Sequence, residues 1–176
     1  MDTAFEMNVK GGKVSDRTMI VMDRGASRFQ CRAAALVWRE GHILIHRSVA
    51  DPFWALPGGR VELHEAAAEA LAREMEEELG SVAVVGALRL LIENFFELSG
   101  RRCHELGFYH EVKLHSPPPF VPGAVVHRSL DGDAELEFRW ALPEPLPSFD
   151  LKPSILVPLI ARRSEAFAHV IHRDET

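Results

Sequence analysis

Cysteine is nearly absent from this chain: Cys31 and Cys103 are the two among 176 residues. They form neither a C-x-x-C pair nor a metal-ligand spacing. A disulfide framework and a structural zinc site are therefore not expected, and both thiols read as small interior groups. Long apolar runs are missing too. Nothing approaches the roughly 18 residues of a membrane span. The first thirty residues interleave Asp2, Glu6, Lys10, Lys13, Asp16 and Arg17 with short apolar pieces, so no signal-peptide core appears. The expectation is a soluble, cytoplasmic protein with no membrane partner. An excess of basic residues is the third absence. Lys and Arg number 20 against 26 Asp and Glu, a net charge of −6. Non-specific nucleic-acid binding depends on basic surface, so no long nucleic acid is expected as partner. No internal repeat is visible.

What is present is an ordinary globular balance, 47% hydrophobic and 26% charged, at a length that suits one domain with one core. The charge is unevenly placed. From Val61 to Glu78 the chain carries Glu62, Glu65, Glu69, Glu74, Glu76, Glu77 and Glu78 against Arg73. Seven acids against one base give −6, which is the whole excess of the chain. A solvated helix face or a bound cation would account for it.

Hydrophobic patterning predicts a strand over 28–39, a turn at Glu40-Gly41 and a returning strand over 42–47. A loop follows from Asp51 through Phe53, Trp54, Leu56, Pro57, Gly58 and Gly59. A short extended piece, 60–63, leads into the clearest element, a helix over 64–79. Its alanines are strong helix formers. Leu71, Met75 and Leu79 recur at i, i+4 and i+8 as an apolar stripe, and Gly80 is placed to cap it. Strands are expected over 82–96, 104–114 and 136–141, the first two as a hairpin. Thr18–Met22 reads as a further short strand. Beyond Asp150, the spacing of Ile155, Leu156, Leu159, Ile160, Ala166, Phe167 and Val170 reads as helical, with Pro158 as a kink or a fresh start. Strands, helix, strands, helix is a mixed α/β or α+β order. Residues 1–27 read as an extension and 28–176 as one domain.

Glu74, Glu77 and Glu78 stand at i, i+3 and i+4 on the predicted helix. At 100° per residue, Glu77 and Glu78 fall about −60° and +40° from Glu74, so the three carboxylates share one face. Like charges at this spacing cost a few tenths of a kcal/mol per pair. Converging carboxylates are also what a hard divalent cation requires. Leu56-Pro57-Gly58-Gly59 precedes them, and the two glycines let backbone approach a ligand closely.

From Gly59 the chain runs through five residues to Glu65, then seven more to Arg73-Glu74-Met75-Glu76-Glu77-Glu78-Leu79-Gly80. This resembles the Nudix box, G-x5-E-x7-R-E-U-x-E-E-x-G-U, where U is a bulky aliphatic residue. Ser81 stands at the last aliphatic position with Val82 beside it, which reads as a one-residue slip in burial. The approach from Phe53 to Glu62 is similar to the family as well. The resemblance covers about an eighth of the chain.

The resemblance implies a Nudix α/β/α sandwich with a mixed central sheet. It also implies hydrolysis of a nucleoside diphosphate linked to another group, by water attack at phosphorus with Mg²⁺, for which Mn²⁺ may substitute. Divalent ions would neutralise the phosphates and lower the pKa of bound water. On the matching positions, Glu74, Glu77, Glu78 and the Gly58 carbonyl would be metal ligands, with Glu74 or a neighbour taking a proton from water. Arg73 would orient the glutamates, with Glu65 as its partner. A further catalytic acid outside the box is expected among Glu93, Glu105, Asp133, Glu135 and Glu137, with Glu105 and Glu135 preferred. Arg32 and Arg47 have two readings, phosphate contact or surface charge. Phe53 and Trp54 also have two, base stacking or core packing.

The implied partner is a small nucleotide substrate, and a homodimer is left open. A nucleotide sensor without turnover and an RNA 5′-end pyrophosphohydrolase are the alternatives. The retained glutamates weigh against the first, and the lack of a basic run weighs against the second.

Overall fold

The computed structural model describes residues 17–144 and 146–174. The part of the N-terminal extension before Arg17 lies outside them. The strands are β1 (Val21–Arg24), β2 (Ser27–Arg39), β3 (His42–Ser48), β4 (Gly58–Arg60), β5 (Ala83–Leu98), β6 (Arg101–Leu114), β7 (Val125–Asp131), β8 (Ala134–Ala141) and β9 (Ala168–Arg173). The helices are α1 (Ala67–Leu79) and α2 (Leu156–Arg162), the latter preceded by a 3-10 turn at Leu146–Phe149. The sheet order is β7-β8-β3-β2-β6-β5-β9, with β1 and β4 also paired to β2. Both β2–β6 and β5–β9 are parallel and the other pairs antiparallel, so the sheet is mixed.

Strand β2 organises everything else. It pairs with β3 only at Trp38↔Ile43 and Arg39↔His42, then the two strands part. The loop that enters the glutamate helix fills the fork. Ala35 N–H donates to the Pro57 carbonyl (2.8 Å), His46 and Ala55 exchange backbone bonds (2.9 and 2.8 Å), and β4 pairs with Arg32–Ala34. Small residues make this approach feasible: Ala33, Ala34 and Ala35 are all buried. Their alternation sends Ala33, Ala35 and Val37 into one core and Ala34 and Leu36 into the other. The first core packs Leu71, Met75 and Leu79 of α1 against Leu44, Phe138 and Trp140. Each such fully buried side chain contributes roughly 1.5–3 kcal/mol. The second packs Leu156 and Ile160 of α2 against Ile43, Ile45, Leu90, Ile92 and Tyr109. The layers are thus helix, mixed sheet, helix.

The predicted strands and the glutamate helix are present, and Gly80 caps α1 at φ 62°, its N–H bonded to the Glu76 carbonyl. Three expectations change. The helix starts at Ala67, not His64, because His64 has φ 67° and Glu69 closes the first turn by accepting from Ala66 N–H (2.8 Å). The apolar run at Ala166, Phe167 and Val170 is not helical. Residues 168–173 are strand β9, alternating half-buried and exposed residues along β5. Pro158 sits in the first turn of α2, where its missing N–H breaks no bond. Burial does not slip from Ser81 to Val82 either: Ser81 is buried and Val82 is 59% exposed. The Ser81 hydroxyl is satisfied there by accepting from Ser116 N–H (3.0 Å).

Candidate active site

The site lies in the fork between β2 and β3, where α1 meets the Gly58-Gly59 backbone. Gly58 is sterically required, and a side chain at Gly59 would displace the Glu74 carboxylate. Gly58 has φ 141°, and a Cβ on it would stand 2.2 Å from the Ala33 carbonyl oxygen. A Cβ on Gly59 would stand 2.1 Å from Glu74 Oε1. The Glu74 carboxylate therefore lies directly against the β4 backbone.

The helix presents its three glutamates to different surroundings. Glu77 is outermost and 42% exposed in its side chain. It accepts from Arg17 (2.6 Å) and Arg73 (3.4 Å), and the Arg17 hydrogen bond holds its pKa below the usual carboxylate range. Glu74 is mostly buried and accepts from Arg73 Nη1 (2.7 Å). Burial raises its pKa despite that partner. Glu78 is buried, and its Oε2 has no hydrogen-bond partner among the described residues. Burial first, and the neighbouring Glu74 charge second, push its pKa to about 8.

Arg73 spans this gradient. Its Nε and Nη2 donate to Glu65 (2.8 and 3.0 Å), its Nη1 to Glu74, and its Nη2 also reaches the Arg60 carbonyl (3.3 Å). Hydrogen bonding from Arg73 lowers the Glu65 pKa. The two residues expected to orient the glutamates are thus brought together with Glu74.

A second set of side chains enters from the sheet. Arg32 Nη2 donates to the Gly58 carbonyl (2.7 Å) and lies 3.4 Å from His46 Nε2. His46 is buried on β3, and burial followed by the Arg32 charge lowers its pKa to about 3, so the ring is neutral. With Nε2 facing a guanidinium donor, the proton belongs on Nδ1. That atom faces Glu78 Oε2 at 3.6 Å, and it too is unpartnered among the described residues. His127 Nε2 donates to the Glu78 backbone carbonyl (2.9 Å). Asp131, on β7, is an acid from outside the helix close enough to raise the Glu78 pKa.

The remaining sequence-derived candidates fall elsewhere. Glu105 is buried and accepts from Gln30 (2.6 Å); Glu135 is exposed and pairs with Arg128 (2.6 Å). No hydrogen bond or ion pair joins either to Glu74 or Glu78 among the described residues. Arg47 pairs with buried Glu137 (2.8 Å) and lies over the Trp54 ring. Trp54 is only 5% exposed, with Arg47 and Arg139 over its ring and Phe149 against its edge, so it packs in the core. Base stacking is thus not its role here. Phe53 is half-buried. His46, Asp131 and Arg17 were not singled out by sequence reasoning. They lie on separate strands or before β1, and no spacing links them to the helix.

Two observations test whether the site suits a divalent cation. The donor set is oxygen only, carboxylates plus the Gly58 carbonyl, which matches a hard cation. The orphaned, buried Glu78 Oε2 is the kind of atom a cation would satisfy. The residues fit. Among the described residues no three such side chains already converge on one point. Glu77 is held outward by Arg17.

Comparison with known proteins agrees with this layout. The family model for the NUDIX domain matches residues 28–158. The chain is 32% identical over 125 residues to a CTP pyrophosphohydrolase of Escherichia coli K12, covering 69% of this chain and 82% of that protein. It is 29% identical over 109 residues to a putative 8-oxo-dGTP diphosphatase of Bacillus subtilis 168, covering 61% and 62%. In three dimensions it resembles a MutT protein from Bacillus halodurans with a TM-score of 0.56 and 16% identity, over 82% of this chain and 89% of that one. A mixed sheet between helices, with an acidic helix entered through paired glycines, defines a hydrolase fold of one kind. The chain belongs to the Nudix family and is a Nudix hydrolase.

Proposed function

We propose that the chain cleaves a phosphoanhydride bond in a nucleoside triphosphate or a related nucleoside diphosphate derivative, with Mg²⁺ held by Glu74, Glu77, Glu78 and the Gly58 carbonyl. The observation that carries this reading is Glu78: a buried carboxyl whose Oε2 has no hydrogen-bond partner among the described residues, one helical turn from Glu74, which lies against the Gly59 backbone. The two curated relatives, both named for nucleoside triphosphate substrates, support the substrate class.

A bound divalent ion would neutralise phosphate charge and lower the pKa of a water ligand. The protein's own groups set the rest. Arg73, anchored by Glu65, fixes Glu74 against the β4 backbone. Glu74, whose pKa burial raises, is placed to take a proton from the attacking water. Glu77, the exposed member, now paired with Arg17 and Arg73, would be the outermost of the carboxylates to hold the cation.

The test is a phosphate-release screen over nucleoside triphosphates, ADP-ribose, sugar nucleotides and dinucleoside polyphosphates with Mg²⁺, run beside Glu78→Gln. Turnover of one group that is lost in the variant is expected. Turnover unchanged in Glu78→Gln would overturn the assignment.

A further inference from the structure

The motif accounts for one wall of the site; the opposite wall is built from two residues outside it. We propose that Arg32 and His46 form a positioning arm that sets the Gly58 carbonyl and the Glu78 carboxylate for a divalent cation. This rests on the cation reading above and deepens it.

The contacts run in one line. Arg32 Nη2 holds the Gly58 carbonyl at 2.7 Å and approaches His46 Nε2 at 3.4 Å, while His46 Nδ1 faces Glu78 Oε2 at 3.6 Å. They join β4, β2, β3 and α1 across the fork. The first contact is a full hydrogen bond, the second is weak, and the third is just too long. At that third contact a buried donor faces a buried acceptor, and neither has another partner among the described residues. Leaving both unmade costs each its desolvation, so a shift of a few tenths of an ångström that closes the gap is favoured. The His46 ring cannot easily turn elsewhere. It is buried, with the Phe138 ring centred 5.4 Å away and the Arg32 guanidinium on its other nitrogen. A purely apolar side chain would fill the same space between strands. A neutral imidazole with its proton toward Glu78 orients that carboxylate without adding a second charge; the arm's one charge, the Arg32 guanidinium, is on the Gly58 carbonyl.

Outer partners of metal ligands typically contribute 10–100-fold in affinity. The test is calorimetric titration of the full chain with Mg²⁺ alone, without substrate, on wild type, Glu78→Gln, His46→Leu, His46→Asn and Arg32→Lys. Glu78→Gln is expected to lose Mg²⁺ binding. His46→Leu should bind about tenfold more weakly. His46→Asn, which retains an N–H at the Nδ1 position, should stay within about threefold of wild type. Arg32→Lys keeps the charge, but its side chain is one bond shorter and its ammonium falls short of the Nη2 position that serves both acceptors, so it should weaken binding several-fold. His46→Leu and Arg32→Lys binding like wild type, with Glu78→Gln defective, would overturn the positioning arm alone. Glu78→Gln binding like wild type would overturn the cation reading and the arm with it. If thermal unfolding shows that His46→Leu does not fold, His46→Gln replaces it, keeping a polar group only toward Arg32. It should bind Mg²⁺ several-fold more weakly than His46→Asn, and equal affinities would overturn the proposal.

Discussion

Two arms reach the carboxylates of this site from opposite sides, and they use opposite physics. The Arg73 arm is charged and lies near the surface. One guanidinium is shared among Glu65, Glu74 and Glu77, at side-chain exposures from 12% to 42%. The Arg32–His46 arm is sunk in the fork of the sheet, where a neutral imidazole separates a cationic side chain from a carboxyl group whose pKa burial has raised to about 8. The first arm balances charge with charge, while the second leaves a buried acid without its counter-ion. One helix face therefore carries an outer acid held ionised and an inner acid that favours its proton until a cation arrives.

The contrast orders the expected effects of changing it. The largest belongs to Glu78. Replacing it with Gln should lower kcat by at least about a hundredfold. The same change should stabilise the metal-free protein in mildly alkaline buffer, since it removes a carboxyl that is costly to ionise. The sign follows from linkage. A carboxyl raised from 4.5 to about 8 on folding adds stability that is present below pH 4.5 and is lost as pH rises through 8. His46, lowered from 6.5 to about 3, has the opposite slope below pH 6.5. Between pH 6.5 and 8 the His46 slope is over and the Glu78 slope continues. Thermal or urea unfolding there should show metal-free wild type losing about 1–2 kcal/mol, and Glu78→Gln losing much less.

Next comes Arg73→Met, which strips Glu65 and Glu74 of their shared partner. Because these groups keep some solvent, the expected loss is about 1–3 kcal/mol of stability, below the full penalty for a broken buried pair. The rate loss is expected at about 10–100-fold, read by steady-state kinetics on the identified substrate. The smallest effect belongs to the rim. Arg17→Ala removes an exposed pair to Glu77, so stability should hardly change. Mg²⁺ affinity should rise by no more than about threefold, and less in high salt. A large loss of stability on removing Arg17 would break the distinction between the two arms.

The division between arms is also the division between what the sequence reveals and what it conceals. The Arg73 arm is local. Its partners sit within one turn of helix or on the loop just before it, so fixed spacing exposes them. Arg32 and His46 are fourteen residues apart on strands that diverge, and only the fork and its glycine loop bring them to one carbonyl and one carboxylate. Larger features follow the same rule. The α1 stripe and the Gly80 cap are written in neighbouring residues. Strand β9 is not, because Ala166, Phe167 and Val170 carry helical spacing, whereas the chain from Ala168 to Arg173, Val170 included, pairs with β5 instead. Trp54 shows the limit from the other side: its sequence position left base stacking and core packing both open, and the rings and guanidiniums around it settle on core.

The most direct measurement is a carboxyl ¹³C NMR titration of the metal-free protein, with Glu78 assigned through Glu78→Gln, repeated with saturating Mg²⁺. One glutamate carboxyl titrating near pH 8 without metal, and moving down into or below the ordinary carboxylate range with Mg²⁺, is the expected result. If Glu78 titrates near 4.5 in both conditions, the inner acid is neither buried alone nor a cation ligand, and the distinction between the two arms fails.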